Sequence, residues 1–153
     1  MHAFRGETQL GYVLAIMIGA GMILGGCAAT INYSYDPGAD FSTIKSYSWA
    51  TEPFVSSQDP LVEKNVRYYA DQSLKSKGFT LTSENPDVVI SMNYERGYSY
   101  PYELRVLNLY VYRRQGKEPI WEGTATGTIR SDAASSDLSE SVKKILATFP
   151  PKP

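Results

Sequence analysis

The sequence is poorest in the two side chains on which most neutral-pH protein chemistry relies: of 153 residues, one is cysteine and one is histidine. A lone cysteine excludes an intramolecular disulfide, so the fold cannot rest on a bridged framework. The histidine is His2, ahead of a stretch with the features of a cleaved leader, so the mature chain is expected to carry none. That removes the usual general base, Ser-His-Asp triads and His/Cys zinc sites together. No Gly-rich loop of the P-loop or dinucleotide type is present either. Excess charge of one sign is also missing, the net charge being -1 at pH 7. Such balance gives no electrostatic reason to bind nucleic acid, and no nucleic-acid partner is expected.

A membrane-spanning run is lacking too, but a shorter apolar run is present. Leu10 to Leu24 contains no charged residue, and it ends in Leu24-Gly25-Gly26-Cys27. A spanning helix needs roughly 20 apolar residues, so this stretch is short for a permanent span and fits a signal-peptide h-region. Arg5 supplies a basic n-region, diluted by Glu7. Leu24, Gly25, Gly26 and Cys27 resemble the bacterial lipobox, an aliphatic residue and two small ones before the modified cysteine. The resemblance implies cleavage before Cys27, a diacylglyceryl group on its sulfur and an acyl chain such as palmitate on its freed amine. No other cofactor is expected. Several acyl chains, at about 0.8 kcal/mol per buried methylene, would anchor the protein far more firmly than one. An ordinary secretory signal, or an uncleaved anchor with an incidental cysteine, is the alternative. Ala28 stands where aspartate marks retention in the inner membrane, so the expected location is the periplasmic face of the outer membrane. The chain thus divides into a leader (1–26), an acylated tether (27–30) and one domain (31–153).

Within that domain, Ile31 to Tyr35 and Ser46 to Ala50 alternate as short strands, separated by the turn residues Asp36-Pro37-Gly38. Thr51 to Gln58 reads as loop. Asp59-Pro60 predicts a helix start, and Gly78 its end. Val62, Val66, Tyr69, Ala70 and Ser73 form its buried face, with Leu74 at the edge. Val88, Ile90, Met92 and Tyr94 share one face of the next strand. Leu107, Leu109 and Val111 share a face of the one after, with Tyr110 and Tyr112 opposite. A turn at Gln115-Gly116-Lys117 leads to a strand with Trp121, Gly123, Ala125, Gly127 and Ile129 on one side and threonines on the other. The small residues among these predict close approach by a helix. Asp137 to Glu140 resembles a capping box, followed by an apolar stripe of Leu138, Val142, Ile145, Leu146 and Phe149. The expected fold is α+β, a mainly antiparallel sheet in the order β-β-α-β-β-β-α with both helices on one face.

Tyr35-Asp36-Pro37-Gly38-Ala39-Asp40-Phe41-Ser42, Tyr47-Ser48-Trp49, Lys77-Gly78-Phe79, Pro86-Asp87-Val88, Ile120-Trp121-Glu122-Gly123 and Phe149-Pro150-Pro151 occur in this order. The set resembles the bacterial lipoprotein family built on domain of unknown function 4136. The resemblance implies an envelope lipoprotein with a compact α+β domain, and it carries over no reaction and no catalytic residue.

What remains for chemistry is carboxylates and aromatics. Glu95 and Glu103 are the natural pair for a glycan hydrolase, although charged strand ends are ordinarily just solvated. Asp36 and Asp40 could face a hard cation, but two carboxylates fall short of the 6–8 oxygens calcium takes, so neither a catalytic nor a metal site is expected. Tyr94, Arg96, Tyr98, Tyr100 and Tyr102 fall in one aromatic hairpin. Tyrosine beside arginine is the composition of a binding surface, here for an envelope protein or a glycan. The competing reading is structural cover, with these rings packed over the sheet edge or on Tyr110 and Tyr112. The expected role is therefore binding or envelope assembly without catalysis, either alone or as an accessory subunit of an envelope transport or cell-wall complex.

Overall fold

The computed structural model describes residues 29–51 and 59–152. The leader, the lipobox residues Leu24, Gly25, Gly26 and Cys27, the sorting residue Ala28 and most of the 51–58 loop lie outside the described residues. Among the described residues, six strands and two helices follow one another as β1 (Thr30–Tyr35), β2 (Ser46–Trp49), α1 (Pro60–Ser76), β3 (Thr80–Leu81), β4 (Val88–Arg96), β5 (Glu103–Arg113), β6 (Pro119–Arg130) and α2 (Asp137–Ala147). They form one sheet in the order β1-β6-β5-β4-β2-β3.

The fold is α+β, as expected, and its sheet is mixed. β1 with β6, β6 with β5 and β5 with β4 pair antiparallel, whereas β2 pairs parallel with both β3 and β4. The parallel pairs arise because α1 carries the chain back across the sheet between β2 and β3, the crossover that parallel neighbours require. β3 is an addition to the expected order. Its two residues pair with Ser46 and Tyr47 and close the edge.

Local chemistry sets α1. The Asp59 side chain accepts from the backbone N–H of Leu61 and Val62, Pro60 takes the first turn, and Gly78 adopts φ +89 just past the end. Val62, Val66, Ala70 and Leu74 are buried, so Leu74 at the edge of the face is as covered as the rest, while Tyr69 and Ser73 are half-buried. In α2 the cap differs from expectation. Ser136 is the N-cap, without a side-chain bond, and the Asp137 carboxylate instead accepts from the Arg130 backbone N–H at 3.3 Å, tying the helix to the end of β6.

Leu107, Leu109, Val111, Trp121, Ala125 and Ile129 make one buried core with both helices. A Cβ on Gly123 would stand 2.6 Å from the Ile145 Cγ2, so the expected close approach of a helix occurs there. Gly127 serves differently: its φ is +147, and what lies near it is the Ala29 backbone, not a helix. The opposite face of the sheet carries Asn108, Tyr110, Tyr112 and Thr124, and the Thr124 hydroxyl donates to Asn108 at 2.8 Å.

Candidate functional site

The β4–β5 hairpin ends in a short aromatic tip built by three backbone bonds. The Gly97 N–H donates to the Glu103 carbonyl at 2.8 Å, and the Glu103 N–H donates to Tyr100 at 3.2 Å. The second closes a β-turn over Pro101 and Tyr102, with proline at its favoured second position. Ser131, just beyond β6, donates its N–H to the Tyr102 carbonyl at 2.8 Å, fastening the tip to the neighbouring strand.

Three tyrosines project from this frame. Tyr98 is 89% exposed, Tyr100 44% and Tyr102 53%. Tyr100 and Tyr102 meet edge to face at 6.1 Å. Two arginines flank the rings: the Arg105 guanidinium lies 5.2 Å from the centre of Tyr98, and that of Arg130 lies 5.4 Å from the centre of Tyr100. Stacking of this kind holds an exposed ring in one orientation, at about 0.5–1 kcal/mol per contact. Each arginine also meets a carboxylate, Arg105 with Glu95 at 2.7 Å and Arg130 with Asp132 at 3.1 Å. These bonds hold both guanidinium pKa values above the ordinary arginine value, the Glu95 hydrogen bond leading for Arg105 and the Asp132 charge for Arg130.

Sequence reasoning named three of these rings and missed both stacking arginines. Arg105 stands only two residues past Glu103, but strict alternation would put it on the inward face with Leu107 and Leu109, and the register shift between Leu104 and Val106 turns it outward. Arg130 comes next to the tip only through the β5–β6 register, in which Glu103 pairs with it. Two named residues do not join the tip. Tyr94 belongs to the buried core, and its hydroxyl points to the Asp59 carbonyl at 3.5 Å, because it shares the inward face with Val88 and Ile90. Arg96 turns to the helix N-cap and pairs with Asp59 at 2.9 Å. The rings do not cover Tyr110 and Tyr112 either. Those two pair with each other at 6.4 Å, and Tyr112 lies at the opposite end of β5 beside Pro119.

Of the carboxylate candidates, Glu95 is engaged with Arg105, and the Glu103 side chain fills the space a Cβ on Gly97 would take. Asp36 accepts from the Gly38 N–H at 2.8 Å, and Asp40 accepts from the backbone and hydroxyl of Ser42. Both act inside their own turns. Among the described residues no cluster of three or more His, Cys, Asp or Glu could hold a metal. No described helix is long and apolar enough to cross a membrane.

The far end of the sheet holds a shallow groove between the β1–β2 loop and the C-terminal tail, lined by Phe41, Lys45, Lys77, Phe79, Phe149 and Lys152. One of its three lysines, Lys77, has a structural role. Lys77 reaches across to donate to the carbonyls of Leu146 and Phe149 at the end of α2, and burial lowers its pKa.

The fold is shared with solved structures. A DUF4136 family protein from Bacteroides thetaiotaomicron matches with a TM-score of 0.60 and 13% identity, over 82% of this chain and 97% of that one. A PelC dodecamer from Paraburkholderia phytofirmans matches with a TM-score of 0.54 and 18% identity, over 78% and 95% respectively. A PDZ domain protein from Parabacteroides distasonis matches with a TM-score of 0.58 and 16% identity, over 83% of this chain but 36% of that one. Identities this low speak for the fold alone. Among curated proteins no sequence matches. The sequence profile described as "Domain of unknown function (DUF4136)" matches residues 31–151, nearly the whole of the described domain, and the chain belongs to that family.

Proposed function

We propose that this protein is a periplasm-facing outer-membrane lipoprotein, held by acyl chains on Cys27, that works by binding within an envelope assembly and not by catalysis. One observation carries the reading: Tyr98, Tyr100 and Tyr102 are exposed together on a hydrogen-bonded tip, with Arg105 and Arg130 stacked on two of the rings. Exposed rings held in fixed orientations form a contact surface whose ordering cost is largely met before a partner arrives. The engagement of Glu95 by Arg105 also favours a binding surface over a free acid–base pair.

Similarity in fold to a PelC dodecamer supports the more specific form of this reading, an accessory subunit that works as one of several copies in a transport or cell-wall complex. Photo-crosslinking from position 98 in intact cells, with fractionation of the envelope, tests the proposal. Adducts in the outer-membrane fraction that disappear in Tyr100→Ala are expected. Recovery of the protein solely in the cytosol or inner membrane would refute the location. A glycan-cleaving activity lost in Glu95→Gln or Glu103→Gln would instead establish a hydrolase.

A further inference from the structure

The chain enters the sheet at the same end as the tyrosine tip. Thr30 pairs with Thr126, and Glu103, the foot of the tip, pairs with Arg130 further along β6. Counted along β5 or β6 at about 3.3 Å per residue, that foot stands about 10–13 Å beyond Thr30 on the strand axis. Tyr98, Tyr100 and Tyr102 lie further out again, past Gly97 and Glu103, whose backbones bond across the neck of the hairpin. Cys27 precedes Thr30 by only Ala28 and Ala29. A fully extended chain spans at most about 3.3–3.6 Å per residue, so Cys27 reaches about 10–11 Å past Thr30 and no further. Sideways, β1 and β5 are separated by β6 alone, an offset of roughly 10 Å. An anchor on so short a tether has no slack to hold the tip clear of the surface it enters.

The chemistry of the tip suits that surface. Tyrosine is enriched at membrane–water boundaries, where the ring lies among headgroups and the hydroxyl stays wet. Arginine beside it can lay its apolar stem along the boundary with its charge in water. Each arginine meets a carboxylate, Arg96 with Asp59, Arg105 with Glu95 and Arg130 with Asp132, and Glu103 adds a further acid at the foot of the tip. Paired charges give little attraction to anionic lipid, so the contact rests on the rings and is insensitive to salt.

We propose that Tyr98, Tyr100 and Tyr102, with Arg105 and Arg130, form a bilayer-contact surface that seats at headgroup level beside the acylated Cys27 and stands the strands upright on the membrane. This rests on the anchoring of Cys27 proposed above and names the occupant of the same tip: the lipid surface itself.

The test uses the full-length lipoprotein purified from membranes and reconstituted in phosphatidylcholine vesicles. Nitroxide labels are placed at Tyr98→Cys on the tip and, in a second protein, at Lys117→Cys in the β5–β6 turn at the opposite end of the sheet. Acylated Cys27 has no free thiol to compete for label. The expected result is loss of relaxation by a water-soluble nickel complex at position 98, with full relaxation at 117, at both low and high salt. In Tyr100→Ala/Tyr102→Ala the protein stays on the vesicles while the label at 98 moves into water. Acylated, vesicle-bound protein with equal relaxation at both positions would overturn the contact and leave the anchor standing. So would protection at 98 that arises only when a glycan or an envelope protein is added. Mass spectrometry showing no acyl group on Cys27 would overturn both.

Discussion

The Tyr47 hydroxyl, on β2, donates to the Asp71 carboxylate of α1 at 2.7 Å, and the same oxygen accepts the Trp49 indole N–H at 2.9 Å. Arg67, one turn earlier in α1, lies over the Trp49 ring at 5.3 Å. One carboxylate thus fastens the short strand β2 to the helix that crosses over it. Asp71→Ala leaves two donors without their acceptor and is expected to cost about 2–3 kcal/mol, since hydrogen bonds to charged groups are worth about 1.5–3. Urea denaturation checks it, with Asp71→Asn expected to lose less. Burial, and then the bond to Asp71, raise the Tyr47 pKa above its ordinary value of 10.0. The folded state therefore favours the neutral phenol. Its contribution is whole below pH 10.0 and declines as pH rises above it, so Tyr47→Phe should flatten part of the alkaline loss of stability.

Asp87 is the acid counterpart. Its carboxylate accepts from the backbone N–H groups of Lys45 and Ser46 and from the Ser46 hydroxyl, each at 2.9 Å. These bonds, that from Lys45 first, lower its pKa below 3.8. Its contribution is present above the unfolded value and lost as pH falls through the folded one. Asp87→Asn is expected to reduce stability at pH 7 and to shrink the difference from wild type near pH 3, measured by thermal melts across that range.

Lys77 closes the far end of the helix pair through the carbonyls of Leu146 and Phe149. A cation at a helix C-terminus is favoured by the helix dipole and by the unpaired carbonyls there. Lys77→Met keeps the apolar stem and removes the donor. A loss of about 1–2 kcal/mol is expected by chemical denaturation, with hydrogen-exchange protection falling first in the last turn of α2.

Gly123 is held by packing. An added Cβ would meet the Trp121 ring at 2.5 Å and the Ile145 methyl at 2.6 Å, and both belong to the buried core. Gly123→Val should destabilise by at least about 1–3 kcal/mol, the usual range for overpacking. A drop in melting temperature with loss of near-ultraviolet dichroism from Trp121 would show it. By contrast Tyr98→Ala, at an open position, should cost no more than about 0.5–1 kcal/mol, the worth of its contact with Arg105.

Features set by neighbouring residues were readable before the structure. Asp59, Pro60 and Gly78 bracket α1 with signals that act within one turn, and alternation placed Leu107, Leu109 and Val111 on the inner face. Features set by distant residues were not. β3 has two residues and exists only because Ser46 and Tyr47 pair with it. Arg130 meets Tyr100 through strand register, and Asp71 reads as a surface acid until β2 brings Tyr47 and Trp49 beside it. Asp137 carries the signature of a cap, yet its carboxylate goes to the Arg130 backbone, because that tertiary partner competes with the local one. Within the tip, exposed tyrosines were legible, but the inward turn of Tyr94 outweighed its aromatic context.

The antiparallel pairing of β1 with β6 has a mechanical consequence. The chain enters β1 at Thr30 and leaves it at Tyr35, while its described C-terminal end lies beside Phe41 and Phe79 at the other end of the sheet. A pull on the N-terminal side, resisted at the opposite end, runs along β1, and the β1–β6 hydrogen bonds lie across that direction. The bonds are then sheared together rather than unzipped in turn. Forced unfolding from this pair of attachment points would be slow, and the first strand would act as a clamp between whatever holds the chain and the rest of the domain.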